Sequence, residues 1–239
     1  AALQAAARAS GARLELAVEA VEVIAAQGGG LAGQTLTVRT AVAEYAVRVA
    51  LAGRHQQRNV ALAIAAAERL ADDGFDDIDE EAIVRGVGGC RWPGRLEAVA
   101  LPEGPTVLLD GAHNPAGAAA LAEHLASLAT PWDLVFGTLA DKDAAGMAAA
   151  LAPGARCVWL APPDSSRALP LAELAALPSL AGAIPVGDLG DALTRALEDA
   201  APLLVVSGSL YLVGSARRWL RERYGVPVAA ADVATWSPP

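Results

Sequence analysis

The chain has 239 residues, 54% of them hydrophobic and 19% charged, with a formal net charge of -9. This balance excludes a disordered chain, which would be poorer in apolar groups, and argues against a surface for nucleic acid or anionic membrane. Two cysteines, Cys90 and Cys157, without a CxxC spacing, indicate neither a disulfide framework nor a Cys-built zinc site and fit a reducing cytoplasm.

The elements fall into two units, residues 1–91 and 92–239. In the first, Ala1 to Ser10 reads as a helix. Leu14 to Ile24, an apolar run with alternating Glu, reads as a strand. A turn at Gly29-Gly30 follows, then two strands with period-2 patterning, Leu36 to Arg39 and Tyr45 to Leu51. Arg58 to Leu70 is a helix with Val60, Ile64 and Ala67 on one face. Asp73 to Asp79 is an acidic loop, and Glu80 to Gly86 a short helix.

The second unit alternates. Strand Thr106–Leu109 precedes helix Pro115–Leu128, and strand Leu134–Phe136 precedes helix Ala144–Leu151. Strand Cys157–Leu160 precedes helix Leu169–Ala176, and a weak strand near Ile184 precedes helix Leu189–Ala200. Strand Leu203–Val206 precedes helix Leu210–Arg223. Short all-apolar strands between amphipathic helices predict a Rossmann-like α/β domain, with a mostly parallel sheet covered on both faces. Ligands of such sheets sit beyond the carboxyl ends of the strands. The loops after Leu109, Phe136, Leu160 and Val206 are therefore where chemistry is expected.

In the first of these loops, Asp110-Gly111-Ala112-His113-Asn114-Pro115, Asn114 suits an N-cap and Pro115 a first helical turn. Neither Asp110 nor His113 is needed for that turn. A carboxylate at a strand end can accept ribose hydroxyls, and a His beside a helix N-terminus can meet an anion. Upstream, Trp92-Pro93-Gly94-Arg95-Leu96-Glu97 is a rigid turn. Arg95 is either a solvated linker residue or a guanidinium fork for phosphate, and Pro93-Gly94 suits a hinge. Gly53 to Asn59 is either a polar helix start or a place where Asn59 reads an adenine edge. Gly137 to Asp143 holds the chain's one lysine, Lys142, against 17 arginines. It is either a self-neutralised charge run capped by Asp143 or a ligand-facing loop. Ser207-Gly208-Ser209 is either simple capping by Ser209 or an anion-binding nest. Arg217, Arg218, Arg221 and Arg223 suit the carboxyl end of a helix through its dipole.

No GxxxxGK[ST] phosphate loop, helix-opening GxGxxG or GxSxG occurs, and no His–carboxylate cluster is spaced for zinc. The uncharged stretch Ala201 to Ala216 has 16 residues, short of the roughly 20 apolar residues of a membrane span. Arg8 and Arg13 break the Ala-rich start, so it does not read as a secretory signal. With no initiator Met and an opening in mid-helix, the chain is expected to be a fragment of a longer protein.

His55 to Asn59 (HQxxN), Trp92 to Glu97 (WPGRLE), Leu109 to Pro115 (LDGAHNP), Asp141 to Asp143 (DKD) and Ser207 to Gly214 (SGSLYLVG) together resemble the folylpolyglutamate synthase/dihydrofolate synthase branch of the Mur ligase superfamily. They stand in the family's order. The resemblance implies that residues 1–91 are part of a central ATPase domain lacking its phosphate loop and that 92–239 are the C-terminal domain. It implies an ATP-dependent amide ligase of folate biosynthesis and one-carbon metabolism. ATP would phosphorylate a folate or dihydropteroate carboxylate, and L-glutamate would attack the acyl phosphate. By matching motif positions, Asn59 would contact adenine, Arg95 the phosphates and Asp110 the ribose. His113 would lie near the γ-phosphate or incoming glutamate, with Lys142, Ser207 and Ser209 as candidates for the glutamate carboxylates. Mg2+ ligands are expected in the family's preceding part, and none in this chain. A cytoplasmic monomer without nucleic-acid or membrane partners is implied. A muramyl-peptide ligase and a non-catalytic binding module of the same fold are the alternatives.

Overall fold

The structure is a computed structural model that describes residues 2–12, 14, 16 and 21–226. It divides into two compact units. The first holds the described residues of Ala1–Gly29, Gly33–Ala50 and Arg54–Cys90; the second holds those of Gly30–Ala32, Leu51–Gly53 and Arg91–Pro239.

The first unit opens with α1 (Ala2–Ser10) and builds an antiparallel sheet from β1 (Val21–Gly28), β2 (Gln34–Thr40) and β3 (Glu44–Val49), in that order. Part of the expected Leu14–Ile24 strand, at 13, 15 and 17–20, lies outside the described residues. From Val21 the strand runs on to Gly28, because after a register shift Ala25 to Gly28 pair with Thr37 to Gln34. Period-2 alternation turns Leu36, Val38, Tyr45, Val47 and Val49 to one face, where Val60, Ala61 and Ile64 of α2 (Arg54–Asp72) pack on them. The helix starts a turn before the expected Arg58, since its first turn is polar and carries no apolar periodicity. Glu68 on α2 accepts hydrogen bonds from Thr40 Oγ1 at 2.7 Å and Tyr45 Oη at 2.9 Å. Burial, with Glu68 beside it, pushes the Tyr45 phenol up to about 12. Asp79 caps α3 (Glu80–Gly89) by accepting the Ala82 N–H at 2.7 Å.

The second unit is a six-stranded sheet. Its strands are β4 (Glu97–Ala100), β5 (Thr106–Asp110), β6 (Trp132–Phe136), β7 (Val158–Leu160), β8 (Ile184–Pro185) and β9 (Leu203–Ser207), in the order β4-β5-β9-β6-β7-β8. All neighbours are parallel except β4 and β5. This is the mostly parallel α/β sheet that the alternation indicates. The antiparallel edge strand β4 was legible only as a turn, because Glu97–Ala100 is too short to show a period and buries Val99 alone. Leu108, Leu134, Phe136, Leu160 and Val205 face one side, against Ala118, Leu121 and Leu125 of α4 (Pro115–Ser127) and Met147 and Leu151 of α5 (Ala144–Leu151). Val107, Leu109, Val135, Leu204 and Val206 face the other, against Leu193 and Ala196 of α7 (Leu189–Glu198) and Val213, Ala216 and Leu220 of α8 (Leu210–Tyr224). Each buried Val, Leu, Phe or Met side chain among these contributes about 1.5–3 kcal/mol. The helix α6 shrinks to Leu171–Ala175 because the Leu169 N–H is drawn to the Thr138 carbonyl at 2.9 Å.

At the amino ends of the strands, the buried Asp133 carboxylate takes a bidentate pair from Arg156, at 3.0 and 2.9 Å, and the Ala201 N–H at 2.8 Å. This ties β6 to the lead-in of β9. Among the described residues no helix is long and apolar enough to cross a membrane.

Candidate active site

The strand register sets the site. Asp110 pairs with Ser207 across β5 and β9, and Phe136 pairs with Ser207 across β6 and β9. Three carboxyl ends therefore finish level, and the loops after Asp110, Phe136 and Ser207 emerge side by side, although nearly 100 residues separate the first from the last.

The turn that carries Arg95 is pinned to this rim. Leu96 N–H donates to Asp110 Oδ2 at 2.9 Å, Gly94 N–H to Glu97 Oε2 at 2.8 Å, and Gly111 N–H to the Gly94 carbonyl at 2.7 Å. Gly94 has φ 69°, and a Cβ there would come within 2.8 Å of Val213 Cγ1. Pro93-Gly94 is thus a fixed turn inside the second unit and not a loose hinge. Leu96, buried at 3% exposure, takes a left-handed φ of 47°, a strained conformation that only over-determined surroundings hold. The expectation that Asp110 is not needed for its turn is corrected. It is buried at 5% exposure, and its Oδ1 accepts the Ala112 N–H at 2.9 Å while Oδ2 holds Leu96.

Arg95 is a half-buried residue whose guanidinium, among the described residues, has no ion pair or hydrogen-bond partner. A guanidinium without a counter-charge can meet an incoming anion, and its planar fork suits phosphate. His113 stands on the loop that follows Asp110. Its Nδ1–H donates to the Gly111 carbonyl at 2.9 Å. A carbonyl can only accept, so this bond places a proton on Nδ1 and turns Nε2 away from the Gly111 carbonyl. Asn114 caps α4 by accepting the Gly117 N–H at 2.8 Å.

Lys142 pairs with Asp141 at 2.9 Å, and Arg167 stands 3.9 Å from the same carboxylate. The Lys142 hydrogen bond holds the Asp141 carboxyl below its usual range. The loop therefore carries the self-neutralised pair, with a second cation added. Arg167 escaped the motif reading, although it comes from the loop after β7, one of the four marked for chemistry. Its guanidinium lies over the Tyr211 ring, 5.9 Å from the centroid.

Ser207 and Ser209 do not form an open anion nest. They are 0% and 2% exposed, and Ser209 Oγ is committed to capping α8 through the Tyr211 N–H at 3.1 Å. Ser207 Oγ and Thr138 Oγ1, at the ends of adjacent strands, are both buried without a hydrogen-bond partner among the described residues. An unsatisfied buried hydroxyl costs about 1–3 kcal/mol. Thr138→Val, which keeps the shape and removes the orphan, is expected to raise the urea midpoint or leave it unchanged. A loss of more than about 1 kcal/mol would show that the hydroxyl has a partner.

Asn59 belongs to the first unit. It is an exposed residue of α2 whose Nδ2 donates to Gln56 Oε1 at 3.1 Å; its Oδ1 and second N–H remain for an amide-like edge. Among the described residues no group of three or more His, Cys, Asp or Glu side chains comes together as a metal site.

Residues 94–210 match the family model for the Mur ligase glutamate ligase domain. This segment belongs to the Mur ligase family. It is 37% identical over 181 residues to the folylpolyglutamate synthase of Lacticaseibacillus casei, covering 73% of this chain and 40% of that protein. It is 39% identical over 198 residues to a probable bifunctional folylpolyglutamate synthase/dihydropteroate synthase of Halobacterium salinarum, covering 79% of this chain and 23% of that one. Among solved structures, Mycobacterium tuberculosis folylpolyglutamate synthase complexed with ADP and AMPPCP superposes with a TM-score of 0.79 at 31% identity, over 90% of this chain and 51% of that one. The chain thus spans about half or less of the length of these relatives.

Proposed function

We propose that this chain supplies the glutamate-handling part of an ATP-dependent ligase that joins L-glutamate to a carboxylate of folate or dihydropteroate. One observation carries the reading. The half-buried Arg95, whose guanidinium has no partner among the described residues, sits on a turn pinned to the sheet rim by Asp110, in a Mur ligase glutamate ligase domain. Relatives whose names specify folylpolyglutamate synthase, and one such structure that holds ADP and AMPPCP, support the substrate class and the use of ATP.

In this reading residues 92–239 are the C-terminal ligase domain, and 1–91 are part of a central ATP-binding domain without its phosphate loop. A substrate carboxylate oxygen attacks the γ-phosphorus of ATP and ADP leaves, giving an acyl phosphate. The glutamate amine then attacks the acyl carbon and phosphate leaves. Arg95 neutralises phosphate charge, Asp110 accepts a ribose hydroxyl while holding the turn, and Asn59 contacts adenine. His113 Nε2 takes the proton released by the amine, and Lys142 attracts a glutamate carboxylate. Ser207 and Ser209 shape the α8 N-terminus toward that substrate. Such chemistry depends on positioning and charge neutralisation more than on a protein nucleophile. The enzyme works as a cytoplasmic monomer.

The test is ADP release by the full-length product of the reading frame. Release is expected to require L-glutamate together with dihydropteroate or tetrahydrofolate. The 239-residue polypeptide by itself is expected to release none, because no GxxxxGK[ST] segment occurs in it. Glutamate-dependent release by that polypeptide alone would overturn the need for a separate phosphate loop. A full-length product that accepts neither folate-class acceptor would overturn the substrate assignment.

A further inference from the structure

Arg217 does not serve the helix dipole that its position in α8 suggests. Its Nε lies 2.8 Å from Glu97 Oε2 and 3.2 Å from Oε1, across 120 residues of sequence. The side chains are 20% and 10% exposed, so both charges have given up most of their water. A largely desolvated ion pair is weak evidence for stability, since desolvation offsets much of the attraction. Its placement supplies another reason. The same Glu97 Oε2 accepts the Gly94 N–H, and Asp110 accepts the Leu96 N–H. The amides on both sides of Arg95 are therefore held by carboxylates, and the left-handed Leu96 is clamped between them. Glu97 is fixed in turn by Arg217 on α8, the helix whose Val213 packs against Gly94.

We propose that the Glu97–Arg217 ion pair is a positioning device that sets the aim of the Arg95 guanidinium from helix α8. Neither residue touches the reacting atoms. The inference rests on the reading of Arg95 as a phosphate-binding residue, and a double-mutant cycle separates the two claims. In the full-length product, Glu97→Gln keeps an acceptor for Gly94 but loses the ion pair. It is expected to lower kcat/KM for ATP about tenfold when Arg95 is present and less than about twofold in an Arg95→Ala background, the coupling of groups that act as one. Arg217→Gln is expected to behave in the same way. A merely structural pair would give equal losses in both backgrounds. Equal losses, or no loss in either, overturn the positioning role while Arg95→Ala remains damaging. If Arg95→Ala alone leaves kcat/KM unchanged, the phosphate reading itself falls, and the inference with it. Limited trypsin digestion adds a readout free of turnover. Cleavage after Arg95 is expected to accelerate in both variants at unchanged far-UV circular dichroism, and unchanged cleavage would count against the clamp.

Discussion

Arg95→Ala is expected to lower kcat/KM for ATP by about 100- to 1,000-fold in the full-length product, the loss that follows removal of one preorganised charge-stabilising group. The reason is local. The residue is half-buried, its guanidinium has no protein partner among the described residues, and it is carried on a turn whose neighbouring amides are pinned by Glu97 and Asp110. Nothing in the fold uses the charge, so its removal is expected to cost less than about 1 kcal/mol of stability, measured by urea denaturation. Arg95→Lys keeps the charge but not the planar fork, and is expected to recover only part of the loss. Unchanged steady-state kinetics for Arg95→Ala would remove this residue from the site.

Gly208→Ala is expected to be strongly destabilising. Gly208 has φ 109°, and a Cβ there would stand 2.6 Å from the Gly137 carbonyl oxygen and 2.7 Å from Phe136 Cε2. Phe136 is fully buried, and the carbonyl is backbone, so neither can give way easily. Backbone strain and overpacking together are expected to cost about 2–5 kcal/mol. Because Gly137 and Gly208 lead two of the loops at the rim, turnover is expected to fall as well. Gly214 is the control. It lies on the exposed side of α8, and a Cβ there meets nothing within 4 Å. Gly214→Ala is expected to stabilise by about 0.5–1 kcal/mol, the ordinary helix preference. Thermal melts of the two variants decide it: equal Tm values would refute the close approach at Gly208.

These two glycines show where the motif reading stops. Both stand in the run Ser207 to Gly214, and neither spacing nor residue type tells them apart. The elements themselves were legible, because short apolar strands and amphipathic helices alternate along residues 106–223. Their ends were blurred where polar first turns, as in α2, or a diverted amide, as at Leu169, carry no apolar period. Arg217 was misread for a related reason. The dipole argument uses only position along one helix, whereas its partner Glu97 comes from a different strand.

Local chain chemistry decided the alternation of strands and helices, the caps at Asn114 and Asp143, and the loops where polar groups gather, since each depends on residues within a few positions of one another. Strand order did not follow from it. Only the packed sheet inserts β9 between β5 and β6, which brings Ser207 level with Asp110 and Phe136, and only packing turns Glu97 toward Arg217. Those pairings are between residues dozens to more than a hundred positions apart, and hydrophobic periodicity carries no information at that range.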